Sequence, residues 1–426
     1  MPARRHASLL AMISALHGAT HLYWVLLPPL NTEIMDYFGL TLDRQITFVQ
    51  TAFLVVYACS NLASGFLATR VAPRKLLALS PLLNGACVAA MYFLAPNQYW
   101  GLVGLHALGA AFGGFYHPVA NLTLTSLFPH AKGKAIGIAG IGASVAFLVA
   151  PWSASALVHH AGWTWQHVML LYGGAGMACG ALAWFVLPAG ALDHEEGLGA
   201  LRPVAALPAA TMRSVWLFVA LCVFVIGGRE LGSWGTTAIT RQFLDKAFAG
   251  GEAPDAGFLL TMLFLPGLVI QPLAGLWSDK VDRERLVGVT LLGMALALYL
   301  LPRVDRAWIV VPFMLAGGSM QANVPVFEAM ISDRTPLRVR GLVFGVLITL
   351  GIAIGSVGPY LVGWIADAGL NTTEAYAQAF TALAAMCLAC GLGSVILKPA
   401  ARRLGLTEAG VAAEAVAAPD RLAPEA

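Results

Sequence analysis

Along this chain apolar residues come in long blocks, not in the stripe of an amphipathic helix or the alternation of a half-buried strand. Polar breaks divide them into twelve blocks, at 8–30, 45–68, 75–95, 99–127, 134–158, 166–188, 214–240, 256–278, 285–303, 307–332, 341–366 and 375–397. A helix needs about 20 residues to cross the hydrocarbon of a bilayer. Backbone groups in lipid must be hydrogen-bonded within the protein, so such spans are helical. The pattern predicts an all-α membrane protein of twelve transmembrane helices. The longest interior polar stretch, 189–213, holds Asp193, Glu195, Glu196, Arg202, Pro203 and Pro208. It reads as a linker between six-helix bundles at 1–188 and 214–398, followed by a tail at 399–426 expected to be disordered. The run after Arg4 and Arg5 continues through His17 and His21 to Leu30 without a small-residue cleavage site. We take it as a retained first span rather than a signal peptide.

Composition sharpens this picture. Hydrophobic residues make up 58% of the chain and charged residues 11%, against about 45–50% and 25% in soluble domains. Little chain is left for a soluble domain. A formal charge of +3 gives no reason to expect a nucleic-acid partner. The six cysteines, Cys59, Cys87, Cys179, Cys222, Cys387 and Cys390, all fall in apolar blocks. The CxxC spacing of Cys387 and Cys390 lacks the βαβ setting that gives it redox meaning.

The position of the basic residues matters more than their number. With a cytoplasmic N-terminus, 19 of the 25 lysines and arginines fall in inner segments, five (Arg44, Arg241, Lys246, Arg303, Arg306) in outer ones, and Arg229 within a span. By the positive-inside rule both termini are cytoplasmic, and the chain is expected in the inner (cytoplasmic) membrane.

An internal repeat divides the chain again. Pro118, Pro129, Gly133, Gly137 and Pro151 recur as Pro325, Pro336, Gly341, Gly345 and Pro359, at offsets of 207 for the first two and 208 for the rest. Proline and glycine carry backbone meaning in membrane helices, through kinks and close packing. Repeats of this kind build transporters whose site lies between the halves. The predicted architecture is therefore two pseudo-symmetric six-helix bundles.

The segment Gly275-Leu-Trp-Ser-Asp279-Lys280-Val-Asp-Arg283-Glu-Arg285 resembles the G-x-x-x-D-R/K-x-x-R-x-R/K loop of the major facilitator superfamily. Its counterpart is Gly65-Phe-Leu-Ala-Thr69-Arg70-Val-Ala-Pro-Arg74-Lys75, where Thr69 replaces the usual acidic residue. Gly162-Trp163-Thr-Trp165 is also similar to a facilitator pattern. The resemblance implies that Gly65, Arg70, Arg74, Gly275, Asp279, Lys280 and Arg283 form cytoplasmic gating loops, with a weaker latch in the first half. Gly114-Phe-Tyr-His117-Pro118, Gly133 and Pro151, with a first-span histidine before Pro29-Leu30, resemble the fosmidomycin-resistance branch of efflux proteins. Val119 stands where that branch often carries an acidic residue.

Polar groups at membrane depth are costly and so are functional candidates. Arg229 and Glu230 lie in the seventh span, about 100° apart on a helix, and are not expected to pair with each other. Arg229 suits an anionic substrate group, which guanidinium binds bidentately. His17 and His21 share a helix face and are candidates for substrate or proton binding, or for hydrogen bonds across helices. A metal site at this pair would need further ligands, and none is expected. His117 and Asn121 lie one turn apart on the fourth span, and the repeat matches Asn121 to Glu328 on the tenth. Gln321 and Glu328 share a face there, with Asn323 slightly off it. His159, His160 and His167 are read as solvated surface.

The chain holds neither an HExxH motif nor a Ser-His or Asp-His protease pair, and an enzyme does not explain the repeat. The expected function is secondary active transport: proton-coupled efflux of a small anionic or amphipathic compound by alternating access. Uptake or exchange of an organic anion, and a non-transporting membrane sensor of the same fold, are the alternatives. Expected partners are a small-molecule substrate, protons and the lipid bilayer, with no cofactor, for a monomer.

Overall fold

The computed structural model describes residues 3–68, 70–128, 132–187, 208–336 and 339–406. The described backbone is predominantly helical, in twelve spans. In the first half these are α1 (Ala3–Leu22), α2 (Asp43–Leu67), α3 (Pro73–Ala90), α4 in two pieces (Tyr99–Gly113 and Tyr116–Leu127), α5 (Lys132–His159) and α6 (Trp165–Val186). The second half has α7 (Ala209–Ala247), α8 (Ala256–Phe264 and Gly267–Ser278), α9 (Arg283–Leu300), α10 (Val310–Arg334), α11 (Arg340–Gly355 and Val357–Ala368) and α12 (Thr373–Gly393). A short helix, Asn31–Phe38, joins α1 to α2.

Ten of these spans carry a long and strongly apolar window. The other two are α1 and the divided α4, and they bear His17, His21 and His117. Polar demands of the site thus weaken the apolar signal of the helices that supply it.

Two boundaries differ from the sequence pattern. The first span was expected to reach residue 30, but its helix ends at Leu22. Pro28 and Pro29 follow in a 3-10 turn, because proline has no N–H to extend a ladder. In the seventh span the helix runs from Ala209 to Ala247, well past both expected ends, and takes in the end of the expected linker. The rest of that linker, residues 407–426 of the tail and Thr69 lie outside the described residues.

The halves repeat one packing scheme. In the first, α1 crosses α5, α2 crosses α4, and α3 packs on α4 and α6; in the second, α7 crosses α11, α8 crosses α10, and α9 packs on α10 and α12. The halves meet through α2 against α11 and α5 against α8, a pair of contacts that the pseudo-two-fold exchanges. Glycine permits these seams: a Cβ on Gly257 would lie 2.2 Å from the Pro151 carbonyl oxygen, and one on Gly363 2.4 Å from Thr47 Oγ1. Side chains such as Phe185, Val289, Leu276 and Trp277 point outward and exposed, as lipid-facing positions do.

Candidate functional site

Between the halves lies a cavity of about 660 Å³. Its wall reaches Ala68, Thr125, Ile331 and Gly341, at the ends of α2, α4, α10 and α11 beside the loops at 68–72 and 335–339. We call this the loop face, and the opposite end the distal face. At the cavity's distal end the rings of Trp24 and Trp234, one from each half, stand 4.9 Å apart. Beside them Phe147 stacks on Phe264 at 4.7 Å.

Beyond these aromatic pairs the distal face is closed by polar contacts between the halves. Asn31 Nδ2 donates to the Ala238 carbonyl at 2.8 Å. Thr32 donates to Asp245 at 2.6 Å, and Arg241 donates to Glu33 at 3.0 Å. His159 Nε2 lies 2.6 Å from Glu33, while Ser155 donates to Asp255. The backbone N–H groups of Asp43 and Arg44 both donate to Asp367, and Thr51 donates to the Ser356 carbonyl at 2.8 Å. Burial alone would push the Glu33 carboxyl up, but the hydrogen bond with His159 and the charge of Arg241 outweigh it and hold it below its ordinary value. Sequence reasoning missed this closure: Thr32, Glu33, Asp245, Asp255 and Asp367 look like ordinary inter-span polar residues. His159, read as solvated surface, belongs to it, whereas His160 and His167 are exposed.

The expected site residues divide into three sets. His21, His117, Asn121, Arg229, Glu230 and Glu328 line the cavity. His17 stands one layer behind, its ring 4.8 Å from that of His21 and stacked on Tyr116. Gln321 and Asn323 go elsewhere. Gln321 packs against Gly267 of α8, and buried Asn323 donates to Thr290 of α9 at 2.8 Å. Helix position alone put Gln321 on the Glu328 face, but the α8 backbone closes over that end of α10.

Arg229 and Glu230 do pair, against expectation: an Arg229 Nη donates to Glu230 Oε1. Their Cβ directions diverge, but the long arginine side chain reaches around. Trp234, one turn on, donates to the other carboxylate oxygen at 2.9 Å, so both oxygens of Glu230 are engaged. Glu328 faces the cavity without a hydrogen-bond or ion-pair partner among the described residues, and Arg229 is the charge that acts on it.

The loop face is braced within the second half. Arg283 donates to Asp279 at 2.6 Å and also to Asp333. Buried Arg334 donates to Glu284 at 2.6 Å. Asp282 accepts from Lys398 and caps α9; these contacts overcome burial and hold its carboxyl below the ordinary value. Lys280 is exposed and Gly275 faces Pro325. In the first half Arg74 donates to the Trp184 carbonyl and lies over its ring; Arg70 is exposed and Gly65 lies within α2.

Two six-helix halves close at one end over a shared central cavity. The chain belongs to the Major Facilitator Superfamily, whose model matches residues 12–251 and 231–419. It is a transporter rather than an enzyme. It is 26% identical over 400 residues to the multidrug efflux pump Tap of Mycolicibacterium fortuitum, covering 88% of this chain and 91% of that protein. It is 28% identical over 150 residues to the class E tetracycline resistance protein of Escherichia coli, covering 34% of this chain and 36% of that protein. Most matched curated relatives are likewise spanned over only about a quarter to two-fifths of their length. Among solved structures, the inward-facing, unoccupied bacterial homologue of the human lysosomal transporter Spinster aligns with a TM-score of 0.74 at 16% identity, over 97% of this chain and 99% of that one. The D-xylose-proton symporter aligns with a TM-score of 0.70 at 14% identity, over 91% and 96%. These structures share the fold.

Proposed function

We propose that the protein is a proton-coupled exporter of small amphipathic or anionic compounds, working as a monomer in the inner membrane with the loop face and both termini cytoplasmic. The cavity carries this reading. It joins a broad apolar wall to a small polar set, Arg229, Glu230 and Glu328, and it reaches one face while the other is latched. An exporter that begins its cycle by loading from the cytoplasm needs this state. Glu328 is the proposed exchange group: it faces the cavity and has no hydrogen-bond or ion-pair partner among the described residues. The efflux pumps among the relatives support the same direction, and the His117-Pro118 segment supports placement near the fosmidomycin-resistance branch.

One observation favours a second reading, uptake of an organic anion together with a proton. The Arg229–Glu230 pair is what an anionic substrate would break. An anion that took Arg229 from Glu230 would add a negative charge to the cavity, and a proton moving with it would balance that charge. The sign of coupling separates the two. Ligands found by thermal shift would be assayed in proteoliposomes, by counterflow and under imposed pH gradients. For the exporter we expect Glu328→Gln to retain counterflow but lose concentrative transport, with Glu230→Gln still coupled. The reverse pattern, with proton and substrate moving in one direction, would establish the uptake reading. Absence of counterflow for every bound ligand would leave a non-transporting sensor.

A further inference from the structure

His17 and His21 were set aside as a metal site because two imidazoles one turn apart are too few. The fold adds a third. His117 arrives from α4, and the three rings form a nearly equilateral triangle, with centroids 4.8 Å (His17–His21), 5.0 Å (His17–His117) and 5.1 Å (His21–His117) apart. One nitrogen from each ring lies within 4.8 Å of the others, and His21 Nε2 and His117 Nε2 face each other at 3.0 Å. We propose that His17, His21 and His117 form a three-nitrogen site for a divalent transition metal, open on its fourth side to the transport cavity.

Three features support a ligand there rather than a packing cluster. His17 Nδ1 donates to the Ala139 carbonyl at 3.0 Å, which puts the proton on Nδ1 and leaves the Nε2 lone pair free to bind an ion. A backbone carbonyl in this outer position is the usual support of a metal-binding histidine. His17 Nε2 is buried and has no hydrogen-bond partner among the described residues; buried polar atoms are rarely left so. The geometry also suits a small ion. With metal–nitrogen bonds of about 2.0–2.1 Å, tetrahedral ligands stand about 3.3 Å apart. The His21–His117 spacing is close to this, and the nitrogens of all three rings lie within 4.8 Å of one another.

The donor set selects the ion. Imidazole nitrogens without carboxylates suit Zn²⁺, Co²⁺, Ni²⁺ or Cu²⁺, not Mg²⁺ or Ca²⁺. On binding, His21 and His117 both present Nε2, so the ring whose Nε2–H bridges the pair in the metal-free state moves its proton to Nδ1. Three neutral rings leave the full ionic charge uncompensated. An anionic ligand arriving through the cavity, which His21 and His117 line, would complete the coordination. The metal is therefore placed to enter with, or to hold, an anionic small molecule.

The test uses the purified full-length protein in detergent, with any affinity tag removed and metal stripped by chelator. Titration calorimetry with Zn²⁺ should show one site, and Co²⁺ should give the intense visible absorption of a four-coordinate ion. His17→Ala, His21→Gln and His117→Ala should each weaken Zn²⁺ binding at least about tenfold. His160→Ala, at an exposed position, should not, and Mg²⁺ should not bind. Because a metal and a proton compete for the same ring nitrogens, affinity should fall with acid. Monodispersity and melting temperature establish that each variant is folded. The proposal is overturned if the parent binds neither Zn²⁺ nor Co²⁺, or if folded histidine variants bind as the parent does. Both readouts are independent of transport, so a failed transport assay does not touch them.

Discussion

At the residue scale the central group is Arg229. A lone charge in an apolar span is expensive, and among the described residues Arg229 donates to the adjacent Glu230. The pair neutralises itself at rest and leaves the guanidinium available for exchange. Arg229→Ala should insert and fold normally but reduce transport more than about tenfold, equivalent to at least ~1.4 kcal/mol of lost interaction. Lysine should restore little, since an ammonium cannot form two parallel bonds to a carboxylate or phosphate. Full transport by the alanine variant at parental expression would remove Arg229 from the substrate site. The sequence revealed that Arg229, Glu230 and Glu328 were unusual, because charge at membrane depth is visible without a structure. It did not reveal their partners. The Arg229–Glu230 bond depends on side-chain reach, and the histidine triad on a crossing of α1 with α4. For the same reason Gln321 and Asn323 were misplaced: seven-residue spacing gives a helix face but not the neighbour that covers it.

At the element scale, legibility followed the apolar blocks. All twelve spans could be read as apolar blocks, and ten of them carry a strongly apolar window. The ends of α1 and α7 were read less well, because a proline pair stops one helix and tertiary contacts extend the other. What hydropathy cannot show is how closely helices approach. Gly257 meets the backbone at Pro151, and Gly363 meets Thr47 and Arg44. Both sit where the halves touch on the distal side. A side chain at either position has no room while that face is closed. Gly257→Leu and Gly363→Leu should therefore favour a distally open state and slow the cycle. Spin-label distances across the distal face should lengthen in both variants. Unchanged distances in a folded variant would mean that the seam yields locally and does not control the closure.

At the scale of the whole molecule, sidedness comes from charge. The excess of lysine and arginine in the segments bearing Lys280 and Arg74 is the basis for the proposed cytoplasmic loop face. A single cysteine at Lys280, in a background lacking the six native ones, should resist a membrane-impermeant thiol reagent in intact cells. A cysteine at Leu370, 85% exposed on the distal side, should react. Labelling at 280 from outside would invert the molecule and, with it, the proposed direction of transport.

With that sidedness the distal latch is exposed to external pH, and Glu33 is the group through which pH acts. It stands on the short helix between α1 and α2 and faces His159 of α5 and Arg241 of α7; Asp245 and Asp255 complete the charged surroundings. Its carboxyl lies below the ordinary value of 4.5 in the closed state. A lowered value means that ionised Glu33 favours closure. The contribution is fully present above 4.5 and is lost as pH falls through the lowered value. Protonation removes the charge that Arg241 needs and weakens the bond with His159, so acid on the distal side should release the latch. Spin labels at His160→Cys and Leu370→Cys, both on exposed distal positions in opposite halves, would report the opening. At neutral pH one short distance is expected. Below 4.5 a longer population should grow, and Glu33→Gln should show that population at neutral pH with little further response to acid. The ordinary Debye screening of partly exposed pairs adds a control: raising salt should act in the same direction as acid, more weakly. If Glu33→Gln stays closed and the parent still opens in acid, the proton acts elsewhere on the distal face. Asp43, which accepts from Tyr376 beside Asp367, would be the next carboxyl to replace.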